Sequence, residues 1–163
     1  MEYSNKITFE HPLSNTYSKD INILVKTDGG QGRFIPNTMV ISLDDAEKGV
    51  GKSNRSKTMD IALGVINRGT SKNPKNKRIL LCEFRFNYKN PKNISATEIK
   101  DKIDYSKKLV RKDYDGVIDS NMYFLFNVNI DAQARSIINR KMSGRVKNII
   151  ITTERGFKEL INR

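Results

Sequence analysis

One cysteine and one histidine among 163 residues remove several chemistries before any motif is read. Cys82 has no partner for an intramolecular disulfide and cannot anchor a zinc cluster. It lies inside an apolar run, where a thiol behaves as a small buried hydrophobe rather than a nucleophile. Ser-His-Asp and Cys-His relays would both need His11, which precedes Pro12 and has no nucleophile beside it. His11 is therefore expected in a loop. No apolar run approaches 18 residues and no signal peptide opens the chain, so a cytoplasmic location is expected and no membrane partner. Acidic residues are also scarce: 18 against 30 Lys and Arg, a net charge of +12. That excess favours a polyanionic partner, above all nucleic acid, over a merely solvated lysine surface.

The length fits one domain, residues 1–163, with a real core. Ile21–Lys26 and Thr38–Leu43 read as strands, with a turn at Asp28-Gly29-Gly30 and Gly32 between them. Asp44 to Lys57 is polar and reads as a loop with at most one helical turn. Two further strands, Thr58–Arg68 and Lys77–Asn87, flank the turn-rich stretch Gly69–Asn76. After Asn93 the period changes. Ser95-Ala96-Thr97-Glu98 fits a capping box, and Ile99, Ile103, Ser106 and Val110 follow at helical spacing, which predicts a helix over 95–112. Met122–Val128 reads as a strand buried on both faces. Ala132–Met142 reads as a helix closed by Gly144, Asn148–Thr153 as a strand and Phe157–Ile161 as a short helix. The order implies an α/β or α+β fold, one mixed central sheet with helices against it.

Chemistry concentrates on the middle strand pair. Side chains of a strand alternate faces, so Glu83 and Arg85 point the same way. A hairpin closed around residues 72–73 puts Asp60 opposite residue 85, within about two residues of Glu83. Two such carboxylates, with a backbone carbonyl, suffice for a magnesium ion that keeps several waters. A metal there polarises a phosphoryl oxygen and helps make hydroxide from water, while Arg85 offsets charge on the phosphate. Asp60 as a strand-entry residue, and Glu83 with Arg85 as a surface ion pair, is the purely structural alternative.

An Asp opening one strand and a Glu-x-cation on the next, then a helix and another strand, resembles the PD-(D/E)xK, restriction-endonuclease-like nuclease superfamily. Asp60 matches the first acid, Glu83 the second, and Arg85 the position of the lysine; the likeness spans roughly residues 20–153. Met59 replaces the proline. Arg85 replaces the lysine and cannot take a proton from water. Family members also draw that lysine from the following helix, where Lys102 is the candidate. The resemblance implies a Mg2+- or Mn2+-dependent endonuclease acting on DNA, with Asp60 and Glu83 as metal ligands. A homodimer is compatible with it. The alternative is a catalytically inactive relative that binds nucleic acid or protein, and the arginine favours that.

Ala46 to Ser53 also satisfies a relaxed phosphate-loop pattern ending Gly51-Lys52-Ser53, which makes a nucleotide-binding protein a third alternative. Asp44 and Asp45 intervene where the preceding strand should end, which argues against it. Under the nuclease interpretation this segment offers Lys52, Arg55 and Lys57 to the DNA backbone.

Overall fold

In the computed structural model, which describes residues 1–51, 56–67, 76–142 and 148–162, the chain opens with a two-residue strand, β1 (Glu2–Tyr3). Two short helices follow, α1 (Asn5–Glu10) and α2 (Ser14–Tyr17). β2 (Ser18–Asp20) then runs directly into α3 (Ile21–Thr27), where a strand is expected from the apolar run. The cap decides between the two periods. The Asp20 carboxylate accepts the Asn22 N–H at 2.7 Å, and Ile21 and Val25, four residues apart, are the helix residues that reach the core. The turn after α3 has the expected glycines, with Gly29 and Gly32 at positive φ.

β3 (Met39–Ser42) occupies the predicted strand. The expected loop from Asp44 begins instead as α4 (Leu43–Gly49). Ser42 caps it through its hydroxyl, and Asp44 and Asp45 in its first turn complement the helix dipole. β4 (Ile61–Asn67) and β5 (Asn76–Arg85) pair antiparallel, as expected, but in a different register. Ile61 faces Cys82 and Val65 faces Arg78. Extending that ladder by one residue puts Asp60 opposite Glu83 rather than opposite residue 85. The turn expected to set this register falls mostly on residues 68–75, outside the described residues.

α5 (Ala96–Arg111) is the predicted helix, with Ser95 accepting the Glu98 N–H at 3.3 Å. β6 (Ile118–Phe126), α6 (Asp131–Met142), β7 (Ile149–Thr153) and α7 (Glu154–Ile161) complete the chain. Gly144, expected to close α6, lies outside the described residues.

The strands form one mixed seven-stranded sheet in the order β2-β3-β4-β5-β6-β7, with β1 continuing β3's place alongside the far half of β4. β2 to β5 are mutually antiparallel; β5, β6 and β7 are parallel, joined by crossovers through α5 and α6. Helices cover both faces, giving an α/β fold. α1, α4, α5 and α6 pack with Ile41, Ala62, Leu81 and Phe124 on one face. α3 and α7 pack with Leu63, Leu80, Cys82 and Leu125 on the other. Covering both faces of parallel strands explains the unbroken apolar run of β6. Gly64 lets α1 sit directly on β4: a Cβ there would lie 2.4 Å from the Thr8 nitrogen. His11 follows α1 as expected of a loop residue, but it is buried. Its Nε2 lies 3.0 Å from the Val110 carbonyl oxygen, and its Nδ1 accepts the Leu13 N–H at 3.1 Å. No helix among the described residues is long and apolar enough to cross a membrane.

Candidate active site

β5 alternates between the two cores, with Ile79 and Leu81 on the α5 side and Leu80 and Cys82 on the other. Glu83 and Arg85 therefore belong to the α5 side. On β4, Ala62 faces that side too; Met59, just before Asp60, also packs there while Ile61 does not, so the alternation stops at the start of the strand. Asp60 is related to Glu83 by the β4–β5 ladder, one pair beyond Ile61 and Cys82, and by the Glu83 charge that acts on it.

The backbone at Asp60 is held from two directions. The Met59 N–H donates to the buried Ser106 hydroxyl at 2.7 Å, and the Asp60 carbonyl accepts the Leu43 N–H at 3.0 Å. Ser106 is the one polar member of the helical apolar stripe, and this bond is its use. The Asp60 carboxylate accepts the Phe84 N–H across the strand pair.

Glu83 is 1% exposed. Its Oε1 receives the Lys102 ammonium at 2.6 Å and the Arg85 guanidinium at 2.9 Å. Its Oε2 is buried with no hydrogen-bond partner. A buried oxygen without a partner is costly, and a bound water or ion is one way such a group is satisfied. Arg85 also lies 3.6 Å from Glu98 Oε1 and stands over the Tyr88 ring at 4.9 Å. Glu98 in turn lies 3.5 Å from Lys57. Phe86, in contrast, packs in the core.

Electrostatics bind the group together. Burial, then the Glu83 charge, hold the Asp60 carboxyl well above the usual carboxylate range; the Phe84 N–H and the Lys102 charge oppose this. Burial also raises Glu83, against the pull of Lys102 and Arg85. The Glu83 charge disfavours ionisation of Asp60, and a bound cation would relieve that repulsion.

Two acids not expected from the sequence belong to the same neighbourhood. Asp28, after α3, accepts the Phe86 N–H at 3.3 Å and is raised chiefly by burial, with Arg85 and Lys102 opposing. Asp44, on α4, accepts the Thr58 hydroxyl at 2.7 Å, and its charge bears on Asp28, Asp60 and Glu83. The sequence marks Asp44 only as the start of a polar loop, and Asp28 only as a turn residue. Among the described residues no three His, Cys, Asp or Glu side chains are grouped so as to hold a metal ion.

Of the basic trio proposed for nucleic acid, Lys57 is exposed and joins the network through Glu98. Lys52 and Arg55 lie outside the described residues. The phosphate-loop pattern loses its cradle. Its first four residues, Ala46 to Gly49, are the second half of α4, with Ala46 and Glu47 buried. The Glu47 carboxylate accepts the Ser56 N–H at 2.9 Å and the Tyr105 hydroxyl at 2.6 Å, tying the segment before Asp60 to α4 and α5. No family model matches this chain, and no curated protein or solved structure matches it either.

Proposed function

We propose that this chain is a metal-dependent nuclease of the restriction-endonuclease-like kind, acting on DNA. The observation that carries the proposal is the convergence at Glu83. An acid on one strand faces an acid on the next, an oxygen of the second is buried and unpartnered, and a lysine and an arginine close the other side. The order of an antiparallel strand pair, a crossover helix and a strand parallel to the second agrees with the resemblance.

Asp60 and Glu83 would hold Mg2+ or Mn2+, which when bound polarises a phosphoryl oxygen and lowers the pKa of its water. The chain's own groups supply the rest. Lys102, brought from α5, takes the place that Arg85 cannot fill as a proton-transferring group, and Arg85 balances charge on the phosphate. Lys57, exposed at the rim, meets the backbone of the bound strand. The test is cleavage of duplex and single-stranded DNA with Mg2+ or Mn2+, comparing wild type with Asp60→Asn and Glu83→Gln. Loss of cleavage in both variants, with their folds intact, is the expected result.

One observation favours a catalytically inactive binding module instead. Both cations point at a single oxygen of Glu83, as they would in an internal ion-pair cluster. A wild type that neither cleaves DNA nor is stabilised by divalent cations selects that alternative.

A further inference from the structure

Beyond the carboxyl ends of the three parallel strands lies an open cavity of about 460 Å3. Phe86 follows the last residue of β5, Phe126 ends β6 and Thr153 ends β7, and all three line it. Ligands of α/β sheets bind outside such strand ends, and the volume is that of a small-molecule site.

The lining has two characters. The apolar part is Val128, 70% exposed, beside the edges of Phe86 and Phe126, which are 7% and 1% exposed. The rim is cationic: Arg33, Arg155 and Lys158. The acidic side chain in the lining, Glu154, is turned onto backbone. Its two oxygens accept the N–H groups of Gln31 at 2.8 Å and Arg33 at 2.7 Å. Lys158 donates to the Arg33 carbonyl at 2.6 Å, so the loop carrying Arg33 is fastened to α7 at two points. Arg155 also pairs with Glu159 at 2.9 Å, so two acids, Glu154 and Glu159, stand against three cations and the rim keeps a net positive charge.

Inorganic phosphate would match the rim and leave the apolar part bare. An apolar ligand would cover that part and leave the cations unmatched. We infer that this cavity binds a nucleoside monophosphate, its base against Val128 at the edges of Phe86 and Phe126 and its phosphate between Arg33 and Arg155. A free nucleotide and the phosphorylated end of a strand present the same chemistry. The site does not rest on the nuclease proposal, because none of its lining residues belongs to the acidic pair. The two are neighbours through the Phe86 N–H, which donates to Asp28, the residue before Gly29 and Gly30 of the lining.

Titration calorimetry of the full chain in low salt and chelator, with adenosine 5′-monophosphate, adenosine and phosphate as separate titrants, tests this. The nucleotide binds at least tenfold more tightly than either fragment. Arg33→Ala with Arg155→Ala weakens it tenfold or more, and Val128→Glu abolishes it; these side chains are exposed, and the melting temperature stays unchanged. Asp60→Asn and Lys52→Ala bind as wild type does, so failure of the nuclease proposal leaves this result standing. Competition by a 5′-phosphorylated trinucleotide assigns the site to strand ends, and its absence assigns it to the free nucleotide. Equal affinity for phosphate and nucleotide, indifference to the Arg33 and Arg155 changes, or loss of binding in Lys52→Ala overturns the inference.

Discussion

The Lys102 ammonium lies 2.6 Å from Oε1 of Glu83, reaching from the first half of α5 to the end of β5. Arg85 shares that same oxygen. Glu83 is thus the anchor of the cluster, with its second oxygen left over, whereas Asp60 is restrained by a backbone N–H and by no cation within ion-pair distance among the described residues. Neutralising each acid in turn tests whether burial or the cations dominate there.

Asp60→Asn is expected to stabilise the metal-free protein at neutral pH. The folded state raises the Asp60 pKa, so the native chain binds more protons than the unfolded one as pH rises above about 4. Stability is full below the unfolded pKa and is lost as pH climbs through the folded one. The gain from Asp60→Asn should therefore shrink to nothing near pH 4. Asparagine can still accept the Phe84 N–H. Urea melts from pH 4 to 8 measure the difference, and a constant loss at every pH would contradict it.

Glu83→Gln tests which force dominates at Glu83: loss of both ion pairs costs about 3 kcal/mol, whereas relief of the burial that raises the Glu83 pKa leaves stability unchanged or higher. Arg85 and Lys102, 12% and 13% exposed, would face each other with Glu98 as the remaining near acid. An exposed pair would cost no more than about 1 kcal/mol. Equilibrium denaturation at neutral pH separates the two outcomes.

Mg2+ or Mn2+ should raise the wild-type melting temperature and leave both acidic variants unmoved, since a ligand of the native state stabilises by mass action. Lys102→Ala should lose cleavage while keeping DNA binding. Arg85→Lys should keep or increase cleavage, because a lysine can exchange a proton where arginine cannot. Single-turnover cleavage beside a binding assay reads each effect. Cleavage by Lys102→Ala at the wild-type rate would remove Lys102 from the proposed site.

DNA affinity should fall steeply with salt, because a chain of +12 releases counterions from the phosphates it neutralises. Lys57→Ala should weaken binding alike for every sequence and lower the salt slope by about 1. No detectable binding to duplex DNA at low salt would end the nucleic-acid proposal.

His11 should make the fold acid-sensitive. Burial holds its pKa below the ordinary 6.5, and Nδ1 must stay unprotonated to accept the Leu13 N–H. The unfolded chain binds the extra proton first, so stability is full above about pH 6.5 and declines below it. His11→Gln should flatten that decline in thermal melts between pH 7 and 5, at some cost in stability at pH 7.

Much of the architecture is legible along the chain, because period and caps are properties of neighbouring residues. The Ser95 cap and the Ile99–Ile103–Val110 spacing define α5, and the unbroken run of β6 signals burial on both faces. Alternation alone puts Glu83 and Arg85 on one side of β5. Ile21–Lys26 is harder, since a run of apolar residues carries both periods and the signal for the helix is one residue, the Asp20 cap two positions before Asn22. Facing positions on β4 and β5 depend on the register of the connecting turn, and a shift of two residues carries Asp60 from Arg85 to Glu83. Lys102 meets Glu83, and Asp28 and Asp44 join them, because β5 is central in the sheet with helices folded back over its end. Charge, period and the acidic residues themselves were the sequence's to determine. Which acids and cations meet was decided by strand order and packing, which no spacing along the chain encodes.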